Sequence, residues 1–241
     1  DIISDQFLGR VLKKKKVDGK DGRDHVLEIM QHFRDLGLKV MFQNGLELSK
    51  LTVGRSLQGG DLTPDTELIE ALLGDGLCAS FFIGGERPVD GPSTDGGYPK
   101  LLDPEAHFEM MQTIVATGVP DITYVNMVGD PSDTHHKLEH LERYLHRLRD
   151  SLYGINPKLK ISINPNAFIP LPGVPMTKEL KSSGLLGEIP HPALVSNWTP
   201  HHRSHYLSTE EIVAWQARLF EEFVIDGRRG VTVHRGYDAT A

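Results

Sequence analysis

Four prolines fall within the eleven residues from Pro165 to Pro175, directly behind a short β-branched alternation, Lys160-Ile161-Ser162-Ile163-Asn164. The alternation marks a strand. Each proline then fixes φ at about −65° and removes a backbone donor, so neither a helix nor an inner strand can continue. The stretch from Lys160 to Met176 is therefore predicted to start as a strand and break, where the prolines begin, into a stiff extended ledge at its carboxyl end. In an α/β barrel that is the end where ligands sit. Free carbonyls beside Phe168 and Ile169 suit a flat heteroaromatic group such as adenine. A plain proline-rich connection from strand to helix is the alternative.

Upstream of the ledge, period-two and period-3.6 patterns alternate. From Asp24 the apolar positions Val26, Leu27, Met30, Phe33 and Leu36 predict an amphipathic helix stopped by Gly37. Leu38 to Gln43 reads as a strand ended by the turn signal Asn44-Gly45. Thr63 as N-cap, with Pro64 at the first helical position, opens a helix carrying Leu68, Ile69, Leu72 and Leu73. Cys78 to Ile83 is a buried parallel strand that ends in Gly84-Gly85-Glu86-Arg87. The Gly-, Pro- and Ser-rich stretch from there to Pro99 is a candidate active-site flap. Asp103-Pro104 caps a helix with Phe108, Met111, Ile114 and Val115 inward. Asp121 to Val128 is a strand leading into Gly129-Asp130-Pro131-Ser132-Asp133-Thr134.

The longest helix follows, with Leu138, Leu141, Leu145, Leu148 and Leu152 on one face and Lys137, Glu139, Glu142, Arg143 and Arg147 on the other. Beyond the ledge, Ser208-Thr209-Glu210-Glu211 has capping-box spacing and opens a helix through Ile212, Trp215, Leu219 and Phe223. Val231-Thr232-Val233 reads as one more strand. Such alternation calls for a parallel sheet with crossover helices. About five strands are visible, with Ile2-Ile3 read as the end of a preceding one, too few for an eight-stranded barrel. The expectation is one α/β domain over 1–241, a partial TIM-type (β/α)6 barrel lacking its first strand, with a core over 1–176 and a C-terminal extension over 177–241.

Composition narrows the partners. A net charge of −7 argues against non-specific nucleic-acid binding, and the basic run Lys13 to Lys16 is followed by Asp18, Asp21 and Asp24. No apolar run approaches the roughly 20 residues of a membrane span. Cys78 is the only cysteine, which excludes an intrachain disulfide and suits a cytoplasmic home. One thiol also cannot ligate an iron–sulfur cluster alone. The chain opens on Asp1 with no signal peptide and enters Ile2-Ile3 at once, which reads as a chain entered partway.

Four features fall at the carboxyl ends of successive strands: Asn44-Gly45, Gly84-Gly85-Glu86, Val128-Gly129-Asp130-Pro131 and the ledge. Glycines there let a ligand approach the backbone closely. Glu86 can accept two hydroxyl hydrogen bonds from a ribose or pair with an ammonium group. Asp130, before Pro131, is equally suited to a plain turn.

Taken in order, these segments resemble the radical S-adenosylmethionine family, specifically its cobalamin-binding-type and methylthiotransferase-like branches, from about Ile2 to Met176. Asp5-Gln6-Phe7 is similar to the loop after the family's second strand, and Asn44-Gly45-Leu46 to its third-strand end. Gly85-Glu86 is similar to the Gly-Ile-Glu-Ser ending of the fourth strand, whose carboxylate lies near the ribose. Val128 to Thr134 resembles the family's Gly-x-Pro-Gly-Glu-Thr turn. The ledge resembles its Pro-Phe-x-Pro-x-Pro-Gly-Thr-Pro segment, which lies against adenine.

There are departures from the pattern. Arg87 stands in place of the serine, and Ser132 and Asp133 in place of Gly and Glu. The Cys-x-x-x-Cys-x-x-Cys loop is missing, so the sequence reads as a fragment starting at the second strand or as a relative without a cluster. A second register, with Gly84-Gly85-Glu86 as the family's Gly-Gly-Glu after the second strand, places no cysteine between Asn44 and Leu51 and leaves too few strands.

The resemblance implies S-adenosylmethionine bound by Asn44, Gly84, Gly85, Glu86, Gly129, Asp130, Asn164, Phe168, Ile169 and Pro170. It implies a [4Fe–4S] cluster ligated upstream of residue 1, and a reductant such as a flavodoxin or ferredoxin. The adenosyl radical would abstract hydrogen, or cobalamin would relay a methyl group. Asn197, Trp198, His201 and His202 are the substrate candidates, and the substrate itself is not legible.

Two rivals stand beside this reading. The first is a metal-dependent hydrolase barrel using His201, His202 and His205. The second is a cluster-less nucleoside-binding scaffold. His136 and His140, four apart on the long helix, have metal-gripping spacing but belong to a solvated face. Cys78, inside a strand, reads as a core thiol.

Overall fold

The computed structural model describes residues 21–43, 45–53, 63–90, 102–173, 175–187 and 196–224. In chain order these form α1 (Gly22–Asp35), β1 (Val40–Phe42), a 3-10 turn (Leu48–Leu51), β2 (Thr52–Val53), β3 (Thr63–Pro64), α2 (Thr66–Leu73) and β4 (Cys78–Glu86). They continue with α3 (Pro104–Ala116), β5 (Asp121–Val128), α4 (His135–Ile155), β6 (Lys160–Ala167), α5 (Pro175–Ser182) and α6 (Thr209–Phe223). The protein is α/β. A parallel sheet of four strands runs β1-β4-β5-β6, in chain order without reversal, and β2 and β3 form a separate antiparallel pair. By contacts the chain divides into two compact units, one from residues within 1–125 and 140–161, the other within 126–139 and 162–241.

Local chemistry sets the helix ends. Asp21 caps α1 in a capping box with Asp24. At its far end Leu38 N–H reaches Phe33 O and Gly37 N–H reaches Arg34 O, the Schellman pattern that needs Gly37 at φ +65°. Leu36, the last of the apolar positions in the predicted pattern, is the C-cap, beyond the last turn, and is 71% exposed. Asp103 caps α3, and Ser208 with Glu211 forms the capping box of α6, both as predicted. The expected cap Thr63 is corrected to Asp65. Pro64 pairs with Thr52 in the small ladder, while the Asp65 carboxylate takes Leu68 N–H and the Arg23 guanidinium.

The predicted strand over Asp121 to Val128 is β5, with Ile122, Tyr124, Asn126 and Val128 buried and the alternate residues half-buried. β4 and β6 both run further than expected. β4 takes in Gly84, Gly85 and Glu86, and β6 continues through Pro165 to Ala167. Lys160 N–H bonds Pro120 O and Phe168 N–H bonds Val128 O, the same forty-residue offset at both ends, so β5 and β6 are parallel and in one register. Even-numbered residues of β6 thus donate to β5, while odd-numbered ones face the open edge, where Ala167 N–H donates to Asn197 O at 2.8 Å. Pro165 shares the parity of Ala167, so its missing donor falls on the edge side, where proline is tolerated.

The expected core forms. Leu138, Leu141, Leu145, Leu148 and Leu152 of α4 are buried, as are Phe108, Met111, Ile114 and Val115 of α3. No described helix is long and apolar enough to cross a membrane. Ile2-Ile3, Asn44, residues 91–99 of the predicted flap and Val231-Thr232-Val233 lie outside the described residues.

Candidate functional site

In the first unit the carboxyl end of β4 has two faces. Phe81, Ile83 and Gly85 are buried, whereas Phe82, Gly84 and Glu86 lie on the more open side. The glycines differ in kind. A Cβ on Gly85 would sit 2.1 Å from Cζ of Tyr124, so Gly85 is required by packing and not by ligand approach. Gly45 has φ +76°, and a Cβ there would meet Phe82 O at 2.8 Å, which again is the fold's demand. Among the described residues, nothing lies within 4 Å of a Cβ added to Gly84, and its φ is not left-handed. It leaves bare backbone between Phe82 and Glu86 on one strand face, where another molecule can lie close. Glu86 holds φ +46°, a region that L-residues rarely adopt and that recurs at ligand sites. Behind it, Arg87 is buried and paired with Asp90.

In the second unit the turn after β5 is built on two carboxylates. Asp133 Oδ2 accepts Gly129 N–H at 2.8 Å and Asp130 N–H at 3.0 Å, and Asp130 Oδ1 accepts Ser132 N–H at 2.8 Å and Ser132 Oγ at 2.6 Å. Gly129 has φ +83°, and a Cβ on it would press Ile212 at 2.9 Å. The histidine segment straps across this turn. His202 Nε2 lies 2.6 Å from Gly129 O, Ser204 Oγ donates to Asp133 O at 2.8 Å, and His205 N–H donates to Pro131 O at 2.9 Å. A carbonyl only accepts, so His202 carries a proton on Nε2. Burial holds its pKa below the usual imidazole value, against the Gly129 bond and the Asp130 and Asp133 charges. Its Nδ1 is buried and makes no hydrogen bond among the described residues. The Phe168 ring meets the imidazole edge-on at 5.4 Å.

The structure thus brings together Gly129, Asp130, Phe168 and His202 from the expected set. Ile169 is half-buried and Pro170 buried beside them in the chain. Ile169 O is taken by Leu171 N–H, so the ledge is a tight bend and not a row of free carbonyls. Asn164 is half-buried on β6, 3.4 Å from Ser162 Oγ. Asn197 acts through its backbone. Its carbonyl accepts Ala167 N–H and, at 2.6 Å, Gln216 Nε2, which also reaches Pro165 O at 2.9 Å. Trp198 packs edge-on against Phe220 and stays 52% exposed. His201 is half-buried, with its carbonyl accepting Gly187 N–H.

A metal centre on His201, His202 and His205 has no geometric support. His202 spends Nε2 on the backbone, His205 is exposed against Tyr206, and no three metal-ligating side chains gather among the described residues. His136 and His140 are exposed on α4, as expected. Cys78 is buried, and burial pushes its thiol up to about 12, the behaviour of a core thiol. Gln216, Tyr124, His107 and Tyr144 had no signal in sequence spacing. No known family profile matches this chain, and no curated protein matches it.

Proposed function

We propose that this chain is the nucleoside- and substrate-binding part of a radical S-adenosylmethionine enzyme, built as a partial (β/α)6 barrel. The observation that carries the reading is the Phe168 N–H bond to Val128 O at 2.8 Å. It makes neighbours of the two segments most similar to the family, the Gly129 turn and the proline ledge, at the carboxyl ends of adjacent parallel strands. The one-directional sheet order supports a barrel segment, since a doubly wound sheet reverses. The bare backbone at Gly84 and the left-handed Glu86 support a ligand contact at the end of β4.

The residues fit the nucleoside. Phe168, in the second unit, offers a half-buried ring against which a flat base can lie. They do not fit a [4Fe–4S] cluster, because the only thiol is the inert Cys78, so no step is routed through one. S-adenosylmethionine would bring the adenosyl group that radical chemistry uses. This chain's residues would bind it, orient it and exclude water.

The test is equilibrium dialysis of S-adenosylmethionine with the natural full-length polypeptide, beside Phe168→Ala, together with the coding sequence upstream of Asp1. The expected result is binding that weakens about tenfold or more in the variant, with three upstream cysteines at cluster spacing. Absence of binding sinks the nucleoside reading. Binding without upstream cysteines sinks the radical mechanism and leaves a nucleoside-binding scaffold.

A further inference from the structure

Behind the open face of β4, three buried rings from three elements form a hydrogen-bonded chain. The Tyr124 hydroxyl on β5 lies 3.5 Å from His107 Nε2 on α3, and His107 Nδ1 lies 2.6 Å from the Tyr144 hydroxyl on α4. Tyr144 also reaches the Pro104 carbonyl at 3.4 Å. That carbonyl only accepts, so Tyr144 gives its proton there, His107 donates from Nδ1, and Nε2 accepts from Tyr124. Every donor then has an acceptor, which three side chains at most 5% exposed require. The rings also pack against one another, His107 to Tyr124 at 5.8 Å and His107 to Tyr144 at 6.0 Å.

One end of this chain presses on β4. A Cβ on Gly85 would stand 2.1 Å from Cζ and 2.3 Å from the hydroxyl of Tyr124, so the Gly85 backbone rests directly on the phenol. The next residue, Glu86, turns to the opposite strand face with φ +46°. Such a conformation persists only where its surroundings over-determine it. The ring behind Gly85 is a rigid surrounding of that kind, and it is itself anchored to two helices.

We propose that Tyr124 is a positioning residue: its ring, oriented by His107 and Tyr144, sets the backbone at Gly85 and so aims the Glu86 carboxylate at the hydroxyls of a bound nucleoside. The inference rests on the nucleoside reading above. The test uses the natural full-length polypeptide with S-adenosylhomocysteine as probe, and compares Tyr124→Phe, Glu86→Gln and the double variant. The expected result is an affinity about five- to tenfold weaker in Tyr124→Phe, with Glu86→Gln costing much less in that background than in the wild type. Additive losses, or wild-type affinity in Tyr124→Phe while Glu86→Gln weakens binding, overturn the proposal.

A ligand-free measurement separates it from the functional reading. Amide hydrogen exchange at Gly85 to Arg87 is expected to speed up in Tyr124→Phe, with protection elsewhere in β4 retained. Unchanged exchange there overturns the positioning role whatever binds. If exchange responds but the wild type binds no nucleoside, the nucleoside reading fails and the aim at a ligand fails with it.

Discussion

At the scale of single residues, the adjacent glycines at the end of β4 do different work, and mutation separates them. Gly85 has no room for a Cβ against Tyr124, so Gly85→Ala forces a rigid ring or the strand to shift. Overpacking of this kind costs about 1–3 kcal/mol. Gly84 has open space and an ordinary φ, so Gly84→Ala restricts the unfolded chain and is expected to leave stability unchanged or raise it by about 0.5 kcal/mol. Urea midpoints of the two variants check the contrast. In the same pair, nucleoside affinity is expected to fall in Gly84→Ala although its fold is intact. Sequence reading treated both glycines alike, because a Gly-Gly pair carries no record of which Cβ would strike a neighbour in another strand.

At the scale of elements, caps and edges carry the argument. The Asp65 carboxylate caps α2 and accepts Arg23 Nε at 2.8 Å and Nη2 at 2.9 Å. Burial pushes its pKa up, but the Arg23 bonds and Leu68 N–H outweigh that and hold it below the usual carboxylate value. Asp65→Ala loses cap and ion pair together, an expected cost of about 2–3 kcal/mol, whereas Asp65→Ser keeps the cap and is expected to recover about 1 kcal/mol. Thermal melts of the two variants distinguish the contributions.

On the other edge, Gln216 donates to Pro165 O and Asn197 O, so Gln216→Leu leaves two carbonyls without that donor and is expected to cost about 2 kcal/mol. Pro165→Ala is expected to cost little, since the regained N–H faces the edge. Denaturant midpoints check both. These elements were legible where the signal is local: the period-two pattern of β5, the Asp103 and Ser208 caps, and Gly37 as a stop. The end of β6 was misplaced because proline forbids an inner strand but not an edge strand. Edge position is a property of the sheet and not of the segment. Thr63 lost to Asp65 as the cap for a similar reason, since its rival gains an arginine from α1, 42 residues away.

At the scale of the whole molecule, the chain's order of alternation was enough to yield the parallel α/β sheet, but in each unit, taken by itself, the candidate residues depend on contacts that no spacing encodes. Tyr124, His107 and Tyr144 meet across separations of 17 and 37 residues, and His202 reaches Gly129 across 73. These buried imidazoles set how the protein meets acid. Burial depresses His107 from 6.5 to about 4, and burial also lowers His202. Between those two values the unfolded chain binds a proton at His107 that the folded chain refuses, so stability rises with pH across the window and is lost as pH falls from 6.5 toward 4. For a fully buried ring, a depression of this size corresponds to roughly 3 kcal/mol. Urea unfolding between pH 7.5 and 4.5 is expected to show this loss. His107→Gln is expected to flatten the slope by about one proton while leaving the part due to His202. A slope unchanged in His107→Gln would mean that this ring titrates in the folded protein as it does in the unfolded chain, against its burial between α3, α4 and β5.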